Sequence, residues 1–495
     1  MVRRDQDTGE DRGSGQSALD EPRLRENVIG LPAATIQGIT HMAPAAGIIL
    51  SVPFIASFAG AAFPLAYMLA LIVTLIIATS IGQLAKHLPS AGGFYSYLSR
   101  GINPSTGFLT GWMYFLYDPL IPCLCTVYVG ALVENTLQQL YGIYFPWYVF
   151  TVIVFAILAA LTFFGIRLSI ESIIFFAAVE VLITLALSVT IFATQGVSGE
   201  VLRSGFTLAG TPQGFHGLLF GMIFSVLAFT GFESSAPLAE ETRDPRRTIK
   251  WAVVLSTGLQ GIYYLIFGLA SLIAYGVVAT IERMPEDPNP FYQIANSAWG
   301  SIGSILILLA LVNSAFGCSL AGQTAGVRVF YKMGTVGVLP SSLGRLHPRY
   351  RTPHVAIAMQ TLISLIVGLG LGFWLTPAGE FGFLGVLITV GLIFVYGAGM
   401  LAVPVFYRRE HANEINPLLT YVLPILGIAM LALVLYGSVI PLPDFPLNIA
   451  LLVDGVWLVL GVVLVFILGR TRPRQLMAGA DAIFGQQREE VEERL

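Results

Sequence analysis

The chain has 495 residues, 55 % of them hydrophobic and only 11 % charged, with a mean hydropathy of +0.77. A soluble domain carries about 25 % charged residues, so this composition excludes a fold whose surface faces water and makes lipid the solvent. The net charge of −3 decides little by itself, because the placement of charge along the chain carries the information.

Residues 1–33 begin "MVRRDQDTGEDRGSGQSALDEPRLRENVIG", polar and mixed in sign, which predicts a disordered tail. No positively charged segment leads into a cleavable apolar core, so a signal peptide is not expected. Beyond the tail, lipid permits only helices or closed barrels, because backbone groups must be satisfied internally. The apolar runs are about 20 residues long rather than alternating ten-residue segments, which selects helices. Twelve spans are predicted, at 34–58, 61–85, 106–134, 147–166, 169–194, 214–239, 251–277, 299–325, 354–375, 381–406, 418–440 and 448–469. The first ten, within 34–407, form one unit; 408–469 adds helices eleven and twelve, and 470–495 is a second tail. With these spans, every Lys and Arg but Arg203 and Arg283 falls on one side. The positive-inside rule then puts both termini in the cytoplasm of a multi-pass protein of the cell membrane.

Two spans are weakened at their centres. The first contains "ITHMAPAAGIIL", Ile39 to Leu50, with a histidine, a proline and a run of small residues. The sixth contains "MIFSVLAFTGFESSAPLAEE", Met222 to Glu241, where Thr230-Gly231 lies mid-membrane just before Glu233, Ser234 and Ser235. Either break alone reads equally well as a kink or a small-residue packing face. Five spans separate them, and a five-helix repeat inverted in the membrane makes them symmetry mates, the pattern that points to a transporter's central site. Unwound backbone offers free N–H and C=O groups, and half-helix ends carry partial charges that attract ions. Pro44 removes one N–H from the first break.

Three further segments resemble a known family. "PSAGGFYSYLSRGINPSTGFLTGW" (Pro89 to Trp112) is similar to the connection of spans two and three in the amino acid–polyamine–organocation transporters. "FTGFESSAPLAEETRDPRRTI" (Phe229 to Ile249) resembles their span six and the following loop, and "RVFYKMGTVGVLPSSLGRLHPRYRTPHVAI" (Arg328 to Ile357) their loop after span eight. The resemblance implies an all-α membrane fold of two inverted five-helix repeats plus two helices, with helices one and six broken and alternating access to a central site. Many members have a Gly-Ser-Gly-like break in span one where this chain has "MAPAAG". Some carry a lysine in span five about thirteen residues after a basic residue; Arg167 marks that start here, and the position holds Glu180.

Ionisable residues inside spans cost about 2.5–3.5 kcal/mol each on insertion scales. Asp118, before Pro119 in span three, reads either as a local cap for a kink or as an amine-binding acid. Glu180 lies mid-span with no helix end nearby, so capping does not account for it, which leaves a structural hydrogen bond to a neighbouring helix or a functional role. Glu233 either caps the second half of span six or meets substrate. His41 is expected to be a satisfied packing histidine, Glu134 and Glu171 to be interfacial, and "AEETRDPRR" to be a solvated cytoplasmic loop. Cys123, Cys125 and Cys318 fall inside spans as small buried hydrophobes. No metal-ligand spacing, phosphate loop of the GxxxxGK[ST] type or nucleophile–base pair occurs, so no cofactor, no ATP, no nucleic acid and no enzymatic activity is expected.

These readings lead to a secondary active permease that takes up amino acids or related amines by proton symport. Substrate is expected at Ala43, Ala45, Ala46, Gly47, Phe229, Thr230, Gly231, Glu233 and Asp118. Proton coupling is expected at Glu180 and Glu233, with sodium as the rival ion. The alternatives are a substrate/product antiporter, a putrescine-like polyamine importer, and a membrane sensor that does not transport.

Overall fold

The computed structural model describes residues 28–471 apart from 91, 165 and 338, and within them the side chains of all but 140, 166–174 and 176. Residues 1–27, the segment from 472 onward and the side chains of Arg167 and Glu171 therefore lie outside the description. The described chain is helical, and its only extended pairing is one isolated bridge between Ile29 and Thr242. In order, the helices are α1 (Leu31–His41), α2 (Pro44–Ile49), α3 (Ser51–Ala59), α4 (Phe63–His87), α5 (Phe94–Gly101), α6 (Pro104–Tyr117), α7 (Ile121–Tyr141), α8 (Trp147–Phe164) and α9 (Ile166–Gln195). They continue with α10 (Gly199–Phe206), α11 (Gly214–Ala228), α12 (Pro245–Tyr275), α13 (Val277–Glu282), α14 (Pro290–Thr335), α15 (His354–Leu375), α16 (Pro377–Glu410), α17 (Leu423–Val439) and α18 (Leu447–Thr471).

Among the described residues, eleven helical stretches are long and apolar enough to cross a membrane. The first of these, Ser51–His87, contains a 3₁₀ turn at Gly60–Ala62, where Gly60 has a φ of 57° and ends α3. Burial ranks the elements. The stretch Gly214–Glu241 has 89 % of its most apolar window buried and Pro104–Gln139 has 83 %, whereas Leu447–Thr471 has 11 %. The sixth and third spans are thus the centre, and α18 is a peripheral helix whose Val459 and Phe466 face outward.

Three expectations differ from the structure. The predicted tail to residue 33 ends earlier, because Val28 N–H donates to the Glu241 carbonyl (2.9 Å) and Arg243 N–H to that of Ile29 (2.8 Å); α1 begins at Leu31. The predicted eighth span at 299–325 is part of a longer helix, α14, with a kink at Gly300 (φ 63°). The helix does not stop at its first charges, because Arg328 and Lys332 are neutralised within the protein. Arg328 Nε lies 2.5 Å from Glu241 Oε2, and Lys332 Nζ lies 3.0 Å from Glu240 Oε1. The same pairs correct the reading of "AEETRDPRR" as a solvated loop at its start only: Glu241 is 2 % exposed and ends the 3₁₀ helix Phe232–Glu241, whereas Arg243, Asp244, Arg246 and Arg247 are exposed.

Candidate functional site

The first break is narrow. α1 stops at His41, Met42 closes its last turn, and Ala43 adopts the left-handed region (φ 51°, ψ 75°) before Pro44 opens α2. Proline suits that first position, since its missing N–H had no helical partner to lose. The second break is similar: α11 ends at Ala228, and Gly231 takes a φ of 105° before the 3₁₀ helix begins. A side chain at Gly231 is excluded twice. That φ is strained for an L residue, and a Cβ would lie 2.7 Å from His41 Nδ1. The two breaks therefore meet, with the His41 imidazole against Gly231 on one side and Gly322 of α14 on the other, where a Cβ would lie 2.8 Å from Nε2.

Tyr264 of α12 joins the breaks chemically. Its hydroxyl reaches the Met42 carbonyl and donates to that of Ala228 at 2.7 Å, two acceptors orphaned by helix interruption. The N–H groups of α2 are also taken. Ala45 N–H donates to Glu180 Oε2 and Ala46 N–H to Ser314 Oγ, both at 3.0 Å, and Gly47 N–H to the Ala43 carbonyl at 2.6 Å. The first two donors, expected to face a substrate, face protein side chains. The expectation that capping cannot account for Glu180 is corrected as well. The carboxylate caps the start of α2 across space, from a helix 135 positions later, a partner that local sequence cannot reveal. Its Oε1 is buried with no hydrogen-bond partner among the described residues.

Glu233 is held similarly: Oε2 accepts from Gly231 N–H (3.2 Å) and Oε1 from the Tyr396 hydroxyl (2.9 Å). It is 2 % exposed. Asp118 begins a 3₁₀ turn between α6 and α7 but makes no local cap, which corrects that reading. Its Oδ2 accepts from Gln360 of α15 at 3.4 Å, and Oδ1 has no partner among the described residues. The carboxylate fits only because residue 326 is glycine, where a Cβ would lie 2.7 Å from Asp118 Cγ.

A cavity of about 40 Å³ touches both breaks. Of the expected substrate residues, Ala43, Ala46, Gly47 and Thr230 line it; Ala45, Phe229, Gly231, Glu233 and Asp118 do not. Phe229 packs edge-on against Tyr264, ring centres 5.2 Å apart. At about 10–15 Å³ per water, this is room for roughly three waters, so an amino acid needs the walls to part. A second cavity of about 30 Å³ lies along α2 and α3 at Ile49 and Pro53 and extends to Asn289 and Leu311.

Several residues of this region were underweighted in the sequence. His41 is not a satisfied packing histidine: it lines the cavity, and neither ring nitrogen has a hydrogen-bond partner among the described residues. Cys125 and Cys318 line it too, with sulfurs 3.8 Å apart. They are buried and free, as expected. Glu380 is fully buried with both carboxylate oxygens unpartnered among the described residues. Starting the tenth span at 381 hid it, since α16 begins at Pro377. Asp454 is 5 % exposed, within α18; an acid amid "LLVDGVWL" was as legible as Glu180. Gln323 of α14 donates to Thr162 and Thr361 at 3.1 and 3.0 Å.

The chain is similar to known permeases over most of its length. It is 29 % identical over 365 residues to the low-affinity putrescine importer PlaP of Escherichia coli (strain K12), covering 71 % of this chain and 75 % of that one. It is 24 % identical over 444 residues to the branched-chain amino acid permease BcaP of Lactococcus lactis subsp. cremoris, covering 85 % and 90 %. With the L-asparagine permease of Escherichia coli (strain K12) it shares 25 % identity over 352 residues, 68 % of this chain and 66 % of that one. The family model for amino acid permeases matches residues 34–472, nearly all of the described chain. The chain belongs to the amino acid permease family, in the amino acid–polyamine–organocation group that its sequence resembles.

Proposed function

We propose that the protein is a secondary transporter that takes up amino acids or related amines across the cell membrane, coupled to protons, by alternating access. The reading rests above all on one observation: two interrupted helices meet at a buried cavity that both breaks line. Ser51–His87, with its turn at Gly60, supplies the ends of two spans, so α1–α3 and α4 make a twelve-span topology from the eleven stretches. With both termini in the cytoplasm, the ion pairs Arg328–Glu241 and Lys332–Glu240 lie on the cytoplasmic side and the cavity at Asn289 on the other.

Glu180 is the proposed proton carrier. It bonds directly to the first turn of α2, so gain or loss of a proton at its carboxyl changes how the broken helix is held. Glu233 connects Gly231 to Tyr396 and is the second candidate. A positive amino group would be read by the carbonyls of the span-six break and by Glu233. A putrescine-like substrate is the second reading. The Ala45 and Ala46 N–H groups that would grip a carboxylate are occupied, while Asp118 keeps a buried unpartnered oxygen, and PlaP, a relative, is a putrescine importer.

The test is uptake of labelled amino acids and putrescine into liposomes holding the purified protein, with and without an imposed pH gradient. Symport predicts accumulation that collapses when the gradient is dissipated. Accumulation that instead requires preloaded internal substrate identifies an exchanger. Binding without uptake under any condition identifies a sensor.

A further inference from the structure

A second chemical cluster sits away from the helix breaks, on the side assigned to the cytoplasm. His87 ends α4, His411 follows α16, and Glu414 ends the 3₁₀ turn Ala412–Glu414. The imidazoles stack with centres 3.8 Å apart and planes 31° apart. Glu414 faces both rings: Oε2 is 3.5 Å from His87 Nε2, and Oε1 is 3.5 Å from His411 Nδ1. One ligand atom from each residue lies within 4.8 Å of the other two.

This donor set suits a borderline divalent metal. Two imidazoles and a carboxylate are ligands that zinc accepts, and three protein ligands leave a fourth position for water. With metal–ligand bonds of about 2.05 Å, the edges of a tetrahedron are about 3.3 Å; each imidazole nitrogen lies 3.5 Å from a different oxygen of Glu414, so one oxygen has to turn to face both rings. Lys86 Nζ lies 2.5 Å from Glu414 Oε2. The Glu414 carboxylate therefore already pairs with a cation.

We propose that His87, His411 and Glu414 form a Zn²⁺-class metal site that staples the end of α4 to the turn after α16, with Lys86 competing for the carboxylate. The staple links positions far apart in the chain, so a transport step that separates these two helix ends slows when the metal is bound. The site is independent of the substrate reading, because none of its residues lines the cavity at the breaks.

The experiment uses tag-free, full-length protein in detergent, with Zn²⁺ measured by equilibrium dialysis and Co²⁺ by its visible absorption. The expected result is one Zn²⁺ per chain and the intense d–d bands of tetrahedral Co²⁺. H87F and H411F keep an aromatic ring at each position and should each weaken binding by at least about 10-fold. Lys86→Ala removes the competing ammonium and should tighten it. Wild-type protein that binds no more Zn²⁺ than the H87F/H411F double variant, or a Co²⁺ spectrum unchanged by both substitutions, overturns the proposal.

Discussion

Replacing Gly231 by alanine is the sharpest perturbation of the contact between the two breaks. The added methyl meets two separate obstacles. A φ of 105° costs an L residue about 1–2 kcal/mol. A Cβ 2.7 Å from His41 Nδ1 overpacks a site whose imidazole is already wedged against Gly322, at about 1–3 kcal/mol. Together these give about 2–5 kcal/mol against the broken conformation. The lower figure alone shifts the equilibrium against it roughly 30-fold. Uptake into liposomes should therefore fall several-fold and by up to about 30-fold at that figure in Gly231→Ala, with further loss in Gly231→Val. Detergent thermal stability and monodispersity would show that the protein is still folded. The two obstacles separate in a double-mutant cycle. His41→Ala in the Gly231→Ala background removes the collision but not the backbone strain, so uptake should recover in part relative to Gly231→Ala alone. Gly231→Ala with uptake within twofold of wild type would show that neither obstacle acts at this contact.

Two other predictions concern buried charge. Glu180→Gln keeps a carbonyl oxygen for the Ala45 N–H but cannot bind and release a proton; uptake should persist yet lose its response to an imposed pH gradient, and an unchanged response would make Glu180 purely structural. Arg328→Met strands Glu241, which is 2 % exposed, and breaking a buried pair costs about 3–5 kcal/mol; a large fall in thermal stability should follow. R328M/E241L removes both charges and should regain most of that loss, whereas equal loss in single and double variants would mean the pair contributes little.

Much of the fold was legible because lipid enforces simple rules: long apolar runs had to be helices, and their approximate positions followed. The weak points of spans one and six were visible as Pro44 and Gly231 in otherwise apolar segments. What local sequence could not supply was partnership across the chain. The mid-span position of Glu180 hid that it caps a helix 135 residues earlier. The charge of Arg328 and Lys332 suggested the end of a span, because nothing near them shows that Glu241 and Glu240 neutralise them. His41 looked like packing, and only the approach of Gly231 and Gly322 put its ring beside the cavity. Glu380 was lost to a boundary error of four residues, given a tenth helix that starts at Pro377.

Whether substrate binds where the two breaks meet is decided by a structure with the best competitor from the uptake assay bound. Ligand is expected between Met42–Ala43 and Ala228–Thr230, in contact with the cavity lined by His41 and Cys318, with the walls moved apart to admit it. Ligand held only in the cavity by Asn289 and Leu311, with the space between the breaks unchanged, would contradict it.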